Sequence, residues 1–434
     1  MPLSTPKIRL GTPDSTALLT DQYELTMLAG ALADGSAFRR CTFEVFARGL
    51  RGHRYGIVAG IARLLDAVAR FRFGGEQLGF LAGVLDPRTL DYLAGYRFSG
   101  DIDGYPEGEL YFPGSPVLAV TSSFAEAVVL ETLTLSVLNH DCAVATAAAR
   151  MVSAAGDRPL VEMGGRRTHE EAAVAAARAA YLAGFTATSN LAAGQRYGIP
   201  TAGTAAHAFT LLHDSEADAF TAQVGALGTD TTLLVDTYDV TRGIGAAIEI
   251  AGPRLRAIRI DSGDLGQLAR QAREQLDRLG APDVQIVVSG DLDEHSIAAL
   301  RADPVDSYGV GTSVVTGSGV PTAGMIYKLV EVDGRPVAKR SPAKASRGGV
   351  KSALRRYKPT GTALEEVVFP RNRQPELGEH DRVLPVPLLR EGQPVDPPPS
   401  LQEARDRVRV ALGSVPWEGL RLSPGDPAIP TIFH

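Results

Sequence analysis

The chain has 434 residues, of which 44% are hydrophobic, and a formal net charge of −6. This length suits two or three globular domains, and the mildly acidic charge argues against a nucleic-acid-binding surface. The two cysteines, Cys41 and Cys142, are too few for a disulfide framework or for a zinc site of their own, so we expect inert thiols in a reducing cytoplasm. No apolar run reaches the roughly 18 residues of a membrane span, so we expect no membrane association.

The first part of the chain mixes helical and strand-like segments. Residues 1–15 lack a hydrophobic secretory segment and are predicted to be a disordered lead. Residues 16–136 are predicted to form an α+β domain. The segment TDQYELTMLAGAL predicts a helix capped by Thr20 or Asp21. CTFEVFARGL predicts a strand, and VAGIARLLDAVARF predicts a second helix. YPEGELYFPGSPVLAV predicts short strands that are separated by proline and glycine.

Residues 137–324 alternate short apolar strands with amphipathic helices, a pattern typical of parallel βα units. The helix in THEEAAVAAARAAYLAG is predicted to begin with a capping box of Thr168 and Glu171 and to end at Gly184. The segment LGQLARQAREQLDRLG carries an apolar stripe at helical spacing. Seven strand candidates predict a parallel barrel slightly short of eight units, and they are PLVEMG, FTATSN, IPTAGT, TTLLVDTYD, LRAIRIDSGD, VQIVVSGD and DSYGVGT.

Residues 325–434 are predicted to be first β-rich and then proline-rich, with part of the segment packing back on the N-terminal domain. Asp333 and Gly334, between MIYKLVEV and RPVAKRS, predict a hairpin turn. Residues 370–400 are rich in proline and charge, so we expect a surface connection there. A final helix is predicted at about residues 400–412, before a proline-rich tail.

Each strand candidate of residues 137–324 ends in polar residues or glycine. In a parallel barrel these ends meet at the carboxyl-terminal mouth, where active sites form. Any one of them alone is more simply explained as a helix cap, but seven in succession favour a site. The ends are Glu162 to Arg167, Ser189 and Asn190, Gly203 and Thr204, Asp236 to Asp239, Asp261 to Asp264, Ser289 to Asp291, and Gly309 to Thr312.

Several of these ends suit a phosphorylated ligand. The glycines of SGD (289–291) and GVGTS (309–313) would let backbone N–H groups approach a phosphate. Arg166 and Arg167 could clamp a phosphate or a carboxylate. The alternative for this arginine pair is a solvated surface position beside Glu170 and Glu171.

Five aspartates would crowd the same mouth. Their mutual repulsion calls for cations, and Mg²⁺ on a polyphosphate is a natural one. Their charge would also stabilise the oxocarbenium-like sugar of a glycosyl transfer. We expect two of the five to be helix caps and nothing more; the five are Asp236, Asp239, Asp261, Asp264 and Asp291.

His207 follows the strand end at Gly203 and Thr204, in YGIPTAGTAAHAFTLLH. Its imidazole could therefore reach the mouth and act as an acid, a base or a nucleophile. The alternative is a core histidine with its hydrogen bonds satisfied. The chain has no GxxxxGK[ST] loop, no GxGxxG after a strand and no HExxH motif, so the sequence predicts no P-loop, no dinucleotide fold and no zinc site of the HExxH type.

Nine motifs, taken together, resemble the nicotinate phosphoribosyltransferase family. They follow the family's order over about residues 20–345, and as a set they are highly specific. The motifs are TDQYELTM (20–27), FEVFARGL (43–50), EMGGRRTHE (162–170), ATSN (187–190), YGIPTAGTAAHAF (197–209), LVDTYD (234–239), RIDSGDL (259–265), SGDLDE (289–294) and GVGTSVVT (309–316).

The resemblance implies the type II phosphoribosyltransferase fold, an α/β architecture with an irregular, incomplete parallel barrel and an N-terminal α/β sandwich domain. It implies a homodimer with a shared active site. It also implies the first step of NAD salvage, in which nicotinate and 5-phosphoribosyl 1-pyrophosphate give nicotinate mononucleotide and pyrophosphate. Mg²⁺ and a coupled hydrolysis of ATP are expected with this reaction.

The resemblance further implies which residues form the site. His207 falls on the family's phosphorylated histidine, which takes the γ-phosphate of ATP, and Asp261 is the second expected catalytic residue. Thr204 and Arg259 match nicotinate contacts, and Tyr23 matches an aromatic ring that stacks on the pyridine across the dimer interface. The other expected substrate-binding residues are Arg166, Ser189, Asn190, Gly290, Gly309, Gly311 and Thr312, of which the last three match the loop for the sugar 5-phosphate.

Three alternatives stay open beside this reading. A nicotinamide enzyme would share the barrel and the histidine step, whereas a quinolinate enzyme would need no ATP and more basic residues. A non-catalytic metabolite sensor could also keep the fold. TSN and GTAAHAF match the nicotinate branch better, and the joint presence of His207, Arg259 and Asp261 argues against a sensor. Ala208 stands where relatives often carry a polar residue, and the tail beyond about residue 370 matches nothing useful.

Overall fold

The computed structural model describes residues 15–339, 347–395 and 400–434. The predicted lead at residues 1–15 lies outside the described residues except for Ser15, whose hydroxyl donates to the Arg72 carbonyl at 2.5 Å. Within the described residues no helix is both long and apolar enough to cross a bilayer.

A seven-stranded antiparallel sheet, here called the large sheet, carries the N-terminal part of the chain. Phe43 on the third strand of this sheet stacks on Tyr327 of the neighbouring strand, with ring centroids 4.8 Å apart. The predicted hairpin is confirmed, because Asp333 and Gly334 both have positive φ, as a tight two-residue turn requires. In spatial order the strands are Arg335–Pro336, Met325–Val332, Arg40–Ala47, Leu118–Ser123, Asp101–Gly104, Val386–Arg390 and Gln393–Pro394.

The prediction of a surface connection at residues 370–400 is wrong for part of this segment. Val386–Arg390 pairs antiparallel with Asp101–Gly104, and Leu388 and Leu389 are buried. The pairing is irregular just after Pro387, whose ring nitrogen cannot donate to a ladder. Residues 396–399 lie outside the described part.

A second, parallel sheet forms the incomplete barrel. The predicted strand IPTAGT is not one, since this segment contributes a single bridge between Thr201 and Thr188. The barrel is therefore open between this bridge and the strand Thr232–Leu234, which confirms an irregular, incomplete barrel. In spatial order the described strands are Ala187–Thr188, Leu160–Glu162, Ser307–Val310, Gln285–Gly290, Ala257–Ile260 and Thr232–Leu234.

The helices connect and cover these sheets. Helix Leu265–Arg278 buries Ala269, Ala272 and Leu276 on one face, which confirms its predicted stripe. The described helices are Gln22–Asp34, Ile61–Ala69, Gly75–Leu81, Pro87–Ala94, Phe124–Val128, Glu131–Ala155, Glu170–Ala183, Leu191–Tyr197, His207–Leu211, Glu216–Leu227, Val240–Ala251, Leu265–Arg278, Glu294–Ala299, Thr312–Val315 and Leu401–Ser414, with 3₁₀ turns at Ala17–Leu19, Ser36–Phe38, Leu300–Ala302 and Trp417–Leu420.

One predicted helix cap is wrong. Helix Glu170–Ala183 is capped by His169, whose Nδ1 accepts from the backbone N–H of Glu171 at 3.3 Å, and not by Thr168. The hydroxyl of Thr168 lies one residue too early to cap this helix start. The predicted end of the helix at Gly184 is confirmed, since Gly184 has φ 129°.

Helix Glu131–Ala155 joins the N-terminal part to the barrel. It spans the predicted limit at residues 136–137 and packs against helices Glu170–Ala183 and Glu294–Ala299. Two buried ion pairs lie in this contact region, Arg150 with Glu294 and Arg178 with Glu107. Removing one partner of either pair would leave a buried charge uncompensated, which is strongly unfavourable.

Two smaller sheets complete the fold around a buried charge cluster. Arg355, with no exposed side-chain surface, bonds Glu109 at 2.5 Å and Glu366 at 2.7 Å, and Tyr105 donates to Glu366. Burial would raise the pKa of Glu109, but the charges of Arg355 and Arg382 outweigh it and lower the pKa. The strands are Arg382–Val383, Lys351–Tyr357, Ala363–Pro370 and Thr431–Phe433 in one sheet, and Gly56–Ile57 with Leu110–Tyr111 in the other.

Candidate active site

Arg259 is the best-anchored cation at the carboxyl-terminal mouth of the barrel. It lies on strand Ala257–Ile260, and its side chain is 13% exposed. Its Nε donates to Ser289 Oγ at 2.6 Å, Nη1 to Thr204 Oγ1 at 2.8 Å and Nη2 to Asp261 Oδ1 at 2.5 Å. These bonds use three of the five N–H donors of a guanidinium, which leaves two without a partner among the described residues.

Asp261 is held ionised beside this arginine. Its carboxylate accepts from Arg259 and from the Ser289 hydroxyl. Burial would raise the pKa of Asp261, but the hydrogen bond from Ser289 and the charge of Arg259 outweigh it and keep the pKa below its ordinary value. The structure therefore brings the predicted residues Thr204, Arg259 and Asp261 together around one negative charge.

His207 lies at the same mouth and faces a second aspartate. It begins helix His207–Leu211 and is half-buried, so the alternative of a core histidine is wrong. Its Nε2 is 3.9 Å from Asp236 Oδ1, and its Nδ1 is 3.2 Å from the hydroxyl of Thr237. The ring thus has one nitrogen beside a carboxylate and the other beside a hydroxyl.

Asp236 connects His207 to the loop that follows the strand of Arg259. Its Oδ2 accepts from the backbone N–H of Asp261 at 2.9 Å and from the Ser262 hydroxyl at 2.8 Å. Its side chain is 3% exposed, and Oδ1, the atom that faces His207, has no hydrogen-bond donor within the described residues. A buried carboxylate oxygen without a donor is unfavourable, so this atom is available to a hydrogen-bond donor or a cation that enters the site.

The expectation that two of the five aspartates are helix caps is confirmed. Asp239 accepts from the N–H of Arg242 at 2.8 Å, and Asp264 accepts from that of Gln267 at 3.0 Å. Asp291 is exposed and caps no helix in the described structure.

Glu216 is a carboxylate that sequence reasoning missed. It begins helix Glu216–Leu227, and its Oε1 is buried with no hydrogen-bond partner among the described residues. Burial raises its pKa, and the charge of Asp236 raises it further. Its position just after the cap Ser215 looks like ordinary helix-start chemistry, so the sequence carries no signal for its place near Asp236.

A buried carboxyl group ties two of the mouth loops together. Glu162 Oε1 accepts from the backbone N–H of Gly164, and Oε2 accepts from the Thr188 hydroxyl at 2.5 Å. Its backbone carbonyl accepts from the N–H of Ser189 at 2.8 Å. Burial raises the pKa of Glu162. Asn190 Oδ1 caps helix Leu191–Tyr197, so its amide nitrogen is the group left to reach a ligand.

The glycines of the mouth keep the loops in close contact. A Cβ on Gly309 would lie 2.7 Å from Met163 Sδ, and one on Gly290, whose φ is 125°, would lie 2.9 Å from the Asp261 carbonyl oxygen. Gly311 precedes helix Thr312–Val315, and Thr312 is exposed at its first turn. Gly309 belongs to a strand that is paired on both sides, whereas Gly311 and Thr312 follow the strand end, where the chain leaves the sheet at the mouth.

Arg166 is exposed at the rim of the mouth. The described residues supply it with no ion pair, because Glu171 pairs with Arg196 and Glu170 lies 3.6 Å from His169. Arg166 and Arg167 are both exposed, so the alternative of a solvated surface pair stays open beside that of a phosphate or carboxylate clamp. The charge of Arg166 is available to an anion that enters the site.

Tyr23 does not join the other predicted residues within one chain. It lies on helix Gln22–Asp34 and is 45% exposed. Burial and the charges of Glu131 and Glu24 raise its pKa to about 12. Met27, one turn further along the helix, is exposed as well, so Tyr23 and Met27 lie on one open face of the helix.

Comparison with known proteins agrees with the architecture. Residues 18–139 match the family model described as the nicotinate phosphoribosyltransferase N-terminal domain, and residues 144–319 match the model described as the quinolinate phosphoribosyl transferase C-terminal domain. The structure is similar to that of human nicotinic acid phosphoribosyltransferase, with a TM-score of 0.84 and 27% sequence identity over 95% of this chain and 97% of that one. A nicotinate-nucleotide pyrophosphorylase from Pyrococcus furiosus shares the fold, with a TM-score of 0.80 and 24% identity over 94% of this chain and 99% of that chain.

Sequence relatives cover nearly the whole chain. The nicotinate phosphoribosyltransferase pncB1 of Mycobacterium tuberculosis is 66% identical over 98% of this chain and 97% of its own length. The nicotinate phosphoribosyltransferases of Bacillus subtilis and of human are 38% and 31% identical, over 79% and 93% of this chain and 73% and 92% of their own lengths. The matched domains, the incomplete barrel and these relatives show that the chain belongs to the nicotinate phosphoribosyltransferase family.

Proposed function

We propose that the chain joins nicotinate to 5-phosphoribosyl 1-pyrophosphate, giving nicotinate mononucleotide and pyrophosphate in the first step of NAD salvage from nicotinic acid. The observation that carries the proposal is Arg259, a cation fixed at the mouth with two N–H groups left over. Nicotinate brings a carboxylate, the group that a guanidinium binds best through two parallel hydrogen bonds.

The pyridine nitrogen must attack the anomeric carbon of the sugar while the bond to pyrophosphate breaks. Arg259 and Thr204 orient the ring through its carboxylate, so that its nitrogen points at the sugar. The carboxylate of Asp261 lies beside them and stabilises the positive charge that develops on the sugar. The backbone of Gly309 to Thr312 and the exposed Arg166 bind the phosphate groups that the sugar carries.

Mg²⁺ is proposed as the cation of the leaving pyrophosphate, whose charge it neutralises. The described residues form no group of three ligating side chains that could hold a metal by themselves. The donors that the chain does offer are carboxylate oxygens, the unpartnered Asp236 Oδ1 and the exposed Asp291. They fit a hard ion that takes most of its ligands from phosphate and water.

His207 is proposed to carry a phosphoryl group from ATP. One ring nitrogen attacks the γ-phosphorus, the bond to ADP breaks, and Asp236 holds the proton on the other nitrogen. Hydrolysis of the phosphohistidine then returns the free ring and inorganic phosphate. The 3.9 Å approach of Asp236 to Nε2 and the orphan Oδ1 support this role.

A His207→Ala variant is expected to lose the stimulation by ATP and to keep weak, ATP-independent transfer. The reason is that the substitution removes the phosphoryl carrier and leaves Arg259 and Asp261 in place. Product formation with and without ATP and ³²P incorporation from γ-labelled ATP measure this. His213→Ala is the control, because His213 bonds only the nearby Phe209 carbonyl. Unchanged ATP dependence in His207→Ala would remove the phosphohistidine role.

We also propose a homodimer in which Tyr23 of one subunit completes the site of the other. The exposed helix face of Tyr23 and Met27 and the exposed Leu19 just before this helix support the proposal. Exposed apolar side chains close to the mouth residues support it as well. Those side chains are Leu191, Leu211, Leu212 and Tyr238.

Complementation tests the shared site. Tyr23→Ala and Arg259→Ala are each expected to be nearly inactive, whereas subunits mixed by partial unfolding and refolding recover about a quarter of the wild-type activity. Half of the random dimers are then mixed, and each mixed dimer has one intact site. Mixing Arg259→Ala with His207→Ala is the control, since both defects lie in the same barrel and every site keeps one of them. No recovery in the first mixture would contradict a site shared through Tyr23.

The substrate itself is tested by parallel assays with nicotinate, nicotinamide and quinolinate, each with Mg²⁺, the sugar pyrophosphate, and with or without ATP. Mononucleotide from nicotinate alone, formed faster with ATP, is the expected result. Turnover of nicotinamide or quinolinate in place of nicotinate would identify that base as the substrate. No turnover of any base would favour a non-catalytic sensor.

A further inference from the structure

We infer that Ser289 is a positioning residue for carboxylate recognition, because its hydroxyl couples Arg259 to Asp261. The inference rests on the proposed function, since it assumes that Arg259 binds the carboxylate of nicotinate. Ser289 acts through the arginine and not by contact with the substrate, as its residue surface is only 3% exposed.

The direction of the two hydrogen bonds follows from the chemistry of the partners. An arginine can only donate, and an ionised aspartate can only accept. Ser289 Oγ therefore accepts from Arg259 Nε, at 2.6 Å, and gives its one proton to Asp261 Oδ1. The hydroxyl satisfies both ionised groups at once, which no apolar side chain of that size can do.

The place of Ser289 in the sheet makes this arrangement rigid. It lies near the end of strand Gln285–Gly290, in parallel register with Gly309 of the next strand. A Cβ on Gly309 would lie 3.1 Å from Ser289 Cβ, so the absence of a side chain at Gly309 leaves room for the serine. The hydroxyl is thus positioned by backbone pairing and not by a mobile loop.

The hydroxyl of Ser289 also determines which N–H groups of the Arg259 guanidinium remain free for a ligand. With Nε held by Ser289 and one Nη2 hydrogen by Asp261, Arg259 cannot turn its fork fully onto Asp261. Two N–H groups of Arg259 therefore remain unbonded, and a carboxylate ligand needs two such donors for a bidentate bond. Without the hydroxyl, the arginine is free to close on Asp261 and to withdraw from the ligand.

A Ser289→Ala variant is expected to raise KM for nicotinate about tenfold, as the loss of one charge-assisted hydrogen bond predicts. KM for the sugar pyrophosphate should change less than twofold. A residue needed only for folding would not separate the two KM values in this way.

The control is Ser307→Ala, which is expected to behave like wild type, because Ser307 is the first residue of the neighbouring strand and lies away from the carboxyl-terminal mouth. Ser289→Cys, with a thiol that is a weak donor and acceptor, should give an intermediate KM for nicotinate. Melting curves show that each variant is folded, and titration calorimetry with nicotinate alone checks the binding step directly.

The outcomes separate the inference from the function on which it rests. If wild-type protein makes no product from nicotinate, the proposed function fails and the role of Ser289 falls with it. If the wild type is active and Ser289→Ala raises both KM values equally, or neither, only the role of Ser289 is overturned. A rise in KM that is selective for nicotinate supports it.

Discussion

Replacing Arg259 with lysine is expected to lower kcat/KM for nicotinate about a hundredfold while the protein stays folded. One ammonium group cannot reach Thr204, Ser289 and Asp261 together, and it offers no planar fork to a carboxylate. Truncating one partner of a buried charge pair costs about 2–5 kcal/mol, and each 1.4 kcal/mol is a factor of ten.

Steady-state kinetics with nicotinate varied at saturating sugar pyrophosphate measures this effect. Arg256→Lys is the matched control, because Arg256 just precedes the same strand, is largely exposed and pairs loosely with Asp230 at 3.5 Å. It should stay within twofold of the wild type. A nearly wild-type kcat/KM in Arg259→Lys would show that a positive charge is enough to bind nicotinate and that the planar guanidinium is not required.

Arg355→Met is expected to destabilise the protein by about 3–5 kcal/mol, the usual cost of removing one partner from a buried ion cluster. The substitution leaves Glu366 without its cation and Glu109 with only Arg382. Both glutamates are fully buried, so neither can recover its hydration. Unfolding in urea, followed by circular dichroism, measures the change.

Arg356→Met, one residue away, is the control for this experiment. Arg356 is about one-third exposed, and it pairs with the partly exposed Glu365 of the neighbouring strand at 2.9 Å and more loosely with Asp381 at 3.5 Å. We expect a loss of less than about 1 kcal/mol there. Equal losses in the two variants would mean that the buried cluster contributes no more than a surface pair.

The fold was predictable where the local pattern agreed with the tertiary structure. Asp333 and Gly334 form the expected turn, and helix Leu265–Arg278 buries its expected stripe. The strand Val386–Arg390 was missed because Pro387 and the surrounding charges indicate a connection, whereas its pairing depends on a segment far away in the chain. No local pattern reports such a partner.

The candidate site was predictable as a set of strand ends but not as a network. Thr204, Arg259 and Asp261 come together as the parallel barrel and the family resemblance implied. Ser289 is part of the motif SGD, but that motif predicted a phosphate contact by its glycine and no role for the serine. Glu216 had no signal, because its environment is created by a different strand end. Buried hydrogen-bond partners are brought together by the fold, so the spacing of residues along the sequence does not predict them.

The strand Val386–Arg390 has a consequence for how the chain is made. Its partner Asp101–Gly104 leaves the ribosome about 280 residues earlier, which at roughly 5–20 residues per second is some 15–60 seconds. Throughout that interval the barrel can form while the edge of Asp101–Gly104 stays unpaired, and an open edge is a template for other strands. The sheet whose first strands are synthesised early is therefore closed only late in synthesis, and until then the edge of Asp101–Gly104 is exposed to pairing with other strands.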